Sequence, residues 1–148
     1  MKRPKPPLDV LIVEDEALIA LDLAMLVEDF GHRVVGEADS LDAVSAVVHD
    51  ICPNLVFLDL HLAKGQSGFE VCKLIQQAWK NTTIVFLTAN PNQVPENCCG
   101  AHGVIAKPFT RTAISDALRY LEQGICAPPP QGAAPDCLAK TQNFRSQW

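Results

Sequence analysis

The chain has 148 residues, 48% apolar and 20% charged, with a formal net charge of −5, which suits one hydrophobic core in a single domain with tails. Charge is uneven: residues 1–7 hold three basic residues and no acid, whereas residues 8–125 hold sixteen acids against seven basic residues, and so acidic a body argues against direct nucleic-acid binding, which needs clustered positive charge. No run is long enough to span a membrane and the KRPKPP start lacks a signal peptide's apolar segment, so a cytoplasmic protein without membrane insertion is expected.

Residues 8–13, LDVLIV, are an apolar run that stops at Glu14, Asp15 and Glu16 and predict the first strand. From 17 to 30 apolar residues recur at Leu18, Leu21, Met25 and Val27, with Asp22, Glu28 and Asp29 on other faces and Gly31 as a stop, which predicts a helix. The valine-rich stretch 33–38 is the second strand. Ser40 then caps a helix that packs Leu41, Val44, Val47, Val48 and Ile51, and Pro53 separates this helix from the central strand.

Residues 54–62, NLVFLDLHL, have the unbroken apolar character of a strand buried on both faces of a parallel sheet, and near its end stands one carboxylate, Asp59. After a loop, Ser67 and Glu70 have capping-box spacing and open a helix whose buried stripe would be Val71, Leu74, Ile75 and Ala78. Residues 82–88 are the fourth strand. Pro95, four residues after Pro91, opposes a helix begun at Pro91, so the fourth helix should be short or start late. A brief fifth strand, 104–106, leads to a last helix capped by Thr110, with Ile114, Ala117, Leu118 and Leu121 inward and Gly124 ending it. The Pro- and Ala-rich residues 126–148 are expected to be a flexible tail, in which Phe144 and Trp148 could anchor to a partner or to the domain.

Strand and helix alternate five times, which implies a doubly wound five-stranded parallel sheet with helices on both faces. Parallel strands bring their carboxyl ends to one edge, so Glu14, Asp15 and Asp59 converge there. Without a cation they would repel one another, and a hard divalent ion, best magnesium, is the expected remedy. Thr88 adds a hydroxyl at that edge and Lys107 a mobile positive charge; together these groups suit the capture of a phosphoryl group. Taken singly, each has a plain structural reading, as a cap or a solvated charge. The six cysteines form no CxxC pair and read as reduced thiols, with Cys52 and Cys72 buried and the adjacent Cys98 and Cys99 as possible redox-sensitive positions.

The segments VLIVEDE, FLDL, FLTAN and AKPF, at these separations, resemble the receiver (CheY-like) domain of two-component response regulators over residues 8 to about 124. The resemblance implies a (βα)5 flavodoxin-like fold with strand order 2-1-3-4-5. It implies that Asp59 accepts a phosphoryl group from a histidine kinase or phosphotransfer protein, with Asp15, Asp59 and the backbone carbonyl of His61 on Mg2+ and Glu14 acting on the ion through water. Thr88 and the amide of Ala89 would hold phosphoryl oxygens, Lys107 would pair with another, and a cis peptide would join Lys107 to Pro108. His61 and Asn90 would flank the attacking water and tune the lifetime of the phosphoryl group, although for His61 a solvent-facing loop residue is the plain alternative.

One departure concerns the position three before the lysine, where many receivers carry an aromatic switch and this chain has Val104. With the weakened fourth helix, it predicts altered signalling, in which phosphorylation orders residues 90–102. No output domain follows in this sequence, so output is expected through contact with an unknown downstream protein. Catalysis beyond self-phosphorylation and slow autodephosphorylation is not expected, and oligomeric state is left open. Two alternatives stand: an interaction module of the same fold that does not turn over phosphate, and a Mg2+-dependent phosphohydrolase using Asp59, which would want a second Asp where His61 stands.

Overall fold

The computed structural model describes residues 7–94, 101–126 and 134–140, apart from the side chains of Lys64 and Lys140. Its elements are β1 (Asp9–Val13), α1 (Ala17–Asp29), β2 (Arg33–Ala38), α2 (Leu41–Val47), β3 (Leu55–Asp59), α3 (Gly68–Ala78), β4 (Thr83–Thr88), β5 (Gly103–Ala106), α4 (Arg111–Cys126) and β6 (Leu138–Lys140). Short 3-10 turns lie at Ala63–Gly65 and Pro91–Gln93. The sheet order is β2-β1-β3-β4-β5-β6, with β1 to β5 parallel and β6 antiparallel on β5.

The apolar runs lack polar alternation because both faces of the sheet are covered. Val10, Ile12, Leu55, Phe57, Val85, Leu87 and Ile105 face one core with Leu23, Leu26 and Val27 of α1 and Ile114, Leu118 and Leu121 of α4. Their strand neighbours Leu11, Val13, Val56, Leu58, Ile84, Phe86 and Val104 face the other, with Val44 of α2 and Val71, Cys72 and Ile75 of α3. Successive side chains alternate between faces, so Glu14, Asp59 and Lys107 share the parity of Ile12, Phe57 and Ile105. All three therefore belong to the side of α1 and α4.

Caps hold the helices where the sequence places them. Ser40 Oγ accepts from the Ala43 amide at 3.2 Å and Thr110 Oγ1 from Ala113 at 3.0 Å. Ser67 Oγ accepts from Phe69 at 3.1 Å, one position earlier than a capping box with Glu70 requires.

Several expectations are corrected. The sheet has six strands among the described residues, because Leu138–Lys140, in the stretch read as a flexible tail, pairs with β5. Four α-helices are described rather than five; between β4 and β5 the described chain forms only the Pro91–Gln93 turn, and residues 95–100, with Cys98 and Cys99, lie outside the described residues, as do 1–6, 127–133 and 141–148, the last with Phe144 and Trp148. The apolar row Leu18, Leu21 and Met25 of α1 faces outward, 82%, 56% and 58% exposed, while Leu23, Leu26 and Val27 turn inward. In α3 Ala78 is exposed and Trp79 just after it is buried; in α4 Gly124 is buried inside the helix, which runs on to Cys126. Cys72 is buried but Cys52 is exposed. No helix among the described residues is long and apolar enough to cross a membrane.

Candidate functional site

Glu14 follows β1 still in extended chain, since its amide donates to the Ala38 carbonyl at 2.9 Å. Asp59 is the last residue of β3, and Lys107 comes directly after β5, with its amide on the Thr88 carbonyl at 2.8 Å. The peptide between Lys107 and Pro108 is cis, as the resemblance implies. These backbone ties bring side chains from three strands to one point: Lys107 Nζ lies 2.7 Å from Glu14 Oε2 and 3.4 Å from Asp59 Oδ2. Glu14 and Asp59 are 4% and 5% exposed, whereas Asp15 faces solvent. One carboxylate oxygen from each of Glu14, Asp15 and Asp59 lies within 4.8 Å of the others.

Two carboxylates and one ammonium leave the buried part of the site short of positive charge. Burial is the largest influence on Glu14 and, with the nearby Asp59 charge, pushes its carboxyl up to about 7 against the opposing pull of Lys107. Burial alone would lower Lys107, but its hydrogen bond to Glu14 and the charges of Asp59 and Glu14 outweigh that and raise it. Both shifts are upward, for Glu14 mainly through burial and for Lys107 through its hydrogen bond to Glu14 and the neighbouring negative charges. A three-oxygen donor set from carboxylates, one of them open to solvent, fits a small hard dication that retains water ligands.

Around Asp59 the loops are tied down. The His61 amide donates to Asp59 Oδ1 at 3.2 Å, and His61 pairs with Ser67 in an isolated antiparallel bridge. The His61 side chain is exposed but engaged, with Nε2 3.0 Å from Gln93 Oε1. Thr88 is buried, and its hydroxyl oxygen accepts from the Asn90 amide at 2.9 Å; Ala89 and Asn90 are exposed at the mouth. Val104 is buried against the α2–α3 layer, in register with Phe86 of β4 and Ala139 of β6.

Every residue assigned from the sequence except Val104 therefore lies at this edge; Val104 is packed below it. Two participants were missed. Gly68 opens α3 directly beneath Asp59: a Cβ there would collide with the Asp59 carbonyl oxygen and lie 2.9 Å from Leu60 Cα. A glycine in the first turn of a good helix was the available signal, since it costs helix stability unless close approach demands it. Gln93 gave none, because its pairing with His61 depends on two loops meeting.

A family model described as the response regulator receiver domain matches residues 10–119. The phyllosphere-induced regulator PhyR of Methylorubrum extorquens is 35% identical over 113 residues, covering 72% of this chain and 40% of its own length. The transcriptional regulatory protein PdtaR of Mycobacterium tuberculosis is 36% identical over 124 residues, 80% of this chain and 57% of its own. The chain thus spans only about half the length of these relatives. Among solved structures, the PhyR receiver domain of Erythrobacter litoralis superposes with a TM-score of 0.70 at 26% identity, covering 85% of this chain and 97% of that one. The Vibrio cholerae chemotaxis regulator CheY4, at 23% identity and a TM-score of 0.69 over 78% of this chain and 99% of its own, shares the fold.

Proposed function

This chain belongs to the response regulator receiver family of two-component systems, and from that premise we propose that it accepts a phosphoryl group on Asp59 from a histidine kinase or phosphotransfer protein and signals by phosphorylation-dependent protein contact. The observation that carries the reading is the placement of Lys107 Nζ between Glu14 and Asp59, beside the three clustered carboxylates. In the transfer, an Asp59 carboxylate oxygen forms a bond to phosphorus as the phosphorus–nitrogen bond of the donor histidine breaks, and the imidazole leaves with a proton from water.

Asp15, Asp59 and the His61 carbonyl would hold Mg2+, with Glu14 acting through water. When bound, the ion would neutralise charge on the transferring phosphoryl oxygens. Lys107 would leave Glu14 to pair with one of these oxygens, while the Thr88 hydroxyl and the Ala89 amide would hold the others. His61, tethered to Gln93, and Asn90 stand at the mouth, where water must enter, and would set the lifetime of the acyl phosphate. Turnover is limited to accepting the group and slowly hydrolysing it. Leu18, at one end of the exposed row it forms with Leu21 and Met25, lines a cleft of about 380 Å³ that reaches Ala89, Lys107 and Phe109; this end of the row offers the donor protein an apolar hold next to the reacting carboxylate.

The test is reaction with acetyl phosphate in the presence of Mg2+, followed by intact mass. Wild type should gain one phosphoryl group and Asp59→Asn none. An unmodified wild type would instead favour the non-phosphorylated interaction module.

A further inference from the structure

The two outer strands of the parallel part of the sheet, β2 and β5, are protected in different ways. β2 carries Arg33 and Glu37, and its register against β1 shifts between Val10 and Leu11; charge and irregularity of this kind discourage a foreign strand. β5 has neither. Its sequence, GVIA, contains no charge and no proline, and Gly103, Val104 and Ile105 are all buried. What protects it is β6, whose Leu138, Ala139 and Lys140 pair with Ile105, Val104 and Gly103.

β6 is lightly held. It spans three residues, and among its described side chains the one large apolar anchor is Leu138, which joins the core formed by Ile105, Ile114 and Leu118. Beyond that, Cys137 Sγ donates to the Ala113 carbonyl at 3.3 Å and the Leu138 amide to the Pro135 carbonyl at 3.0 Å. Ala139 is exposed. A short strand whose own apolar anchor is Leu138, with Ala134 and Cys137 ahead of it only partly buried against the same core, can separate from the sheet while the packing of the helices on β1 to β5 stays intact.

We propose that the β5 edge is a self-association surface, closed in cis by β6, and that two copies from which β6 has lifted join β5 to β5 antiparallel across a twofold axis. β6 itself demonstrates that the edge accepts an antiparallel neighbour. A second β5 would meet the same backbone groups with an uncharged strand of equal length, bared by the same event. Pairing of β5 with the β2 edge of another copy would instead build an open-ended array, and the charges and register shift of β2 oppose it. The favoured product is therefore a closed dimer. This inference does not depend on phosphoryl acceptance by Asp59.

The experiment is sedimentation velocity with backbone amide exchange on the full chain and two variants. Ala139→Pro removes a backbone donor from β6, and Leu138→Ser removes its anchor; the two are combined where either alone leaves the Leu138–Lys140 amides slow. Wild type should be monomeric. Each freed variant should shift to a dimer with fast exchange at Leu138–Lys140 and slow exchange at Gly103–Ala106, and an excess of a synthetic peptide of residues 134–140 should return it to monomer. Freed variants that stay monomeric overturn the proposal, as does a dimer that the peptide does not dissolve or that exchanges fast at Gly103–Ala106. A wild type already dimeric with slow β6 amides also overturns it, by placing the interface elsewhere.

Discussion

Lys107 Nζ lies 2.7 Å from Glu14 Oε2, an ion pair that spans the carboxyl edge of the sheet from β5 back to β1. The Glu14 side chain in that pair has no exposed surface and the Lys107 side chain is 13% exposed, so the Glu14 carboxylate has no solvent to turn to as an alternative partner. Lys107→Met keeps the bulk of the stem but strands the carboxylate. A loss of about 3 kcal/mol of stability, the scale for removing one partner of a buried pair, is expected at about pH 8.5, above the Glu14 value of about 7, where its carboxylate is ionised. The loss should shrink at about pH 5.5, where Glu14 can discharge by taking a proton. Urea denaturation at the two pH values checks this.

Gly68→Ala tests how closely α3 must approach Asp59. The added methyl meets backbone atoms of Asp59 and Leu60, which cannot swing aside as a side chain could. The substitution should cost about 1–3 kcal/mol, the range for overpacking, despite alanine's better helix propensity. It should also slow acetyl phosphate labelling, because the helix start and the end of β3 must part. Denaturation and labelling rate are the two measurements.

Two imidazoles, His32 buried and His102 half-buried, give the fold a pH dependence of defined sign. His32 Nδ1 accepts from the Leu8 amide at 3.0 Å and His102 Nδ1 from the Ile84 amide at 3.1 Å. Burial lowers both groups below their ordinary value, against an opposing pull from Glu122 for His32. The unfolded chain therefore takes protons first, and this contribution to stability is full above the ordinary histidine pKa of 6.5 and is lost as pH falls below it. Glu14 acts oppositely: its raised folded value makes stability fall as pH rises from 4.5 towards about 7. A single pH profile mixes the two. His102→Asn keeps an acceptor without titrating, so its stability relative to wild type should improve as pH drops from about 7 to about 5; a constant difference would contradict the assignment.

The outward row on α1 separates docking from chemistry. Leu18→Asp changes a side chain that is 82% exposed, so folding stability should move by no more than about 0.5 kcal/mol. Phosphoryl transfer from a protein donor should slow while reaction with acetyl phosphate stays at the wild-type rate. Equal slowing of both would place Leu18 in the chemistry and not in recognition.

Glu14, Asp15, Asp59, Thr88 and Lys107 could be read from the chain because parallel strands deliver their ends to one edge whatever the loops do. The buried face of α1 could not: apolar residues lie all round it, and Leu18, Leu21 and Met25 make as good a stripe as Leu23, Leu26 and Val27. β6 was hidden for a different reason. Three residues carry no periodicity, and the surrounding Pro and Ala composition signals an unpaired tail until β5 is seen to need a neighbour. The His61–Gln93 bond depends on two loops meeting, which no local pattern encodes.

The most direct test of phosphoryl acceptance is to find which residue carries the group. Protein labelled with acetyl phosphate and Mg2+ is treated with borohydride, which reduces an acyl phosphate to the alcohol and leaves free carboxylates alone, and the peptides are then sequenced by mass. Homoserine is expected at position 59, with Glu14 and Asp15 unaltered. Reduction at either of those residues, or at none of the three in a protein that has gained phosphate, would contradict the assignment of Asp59.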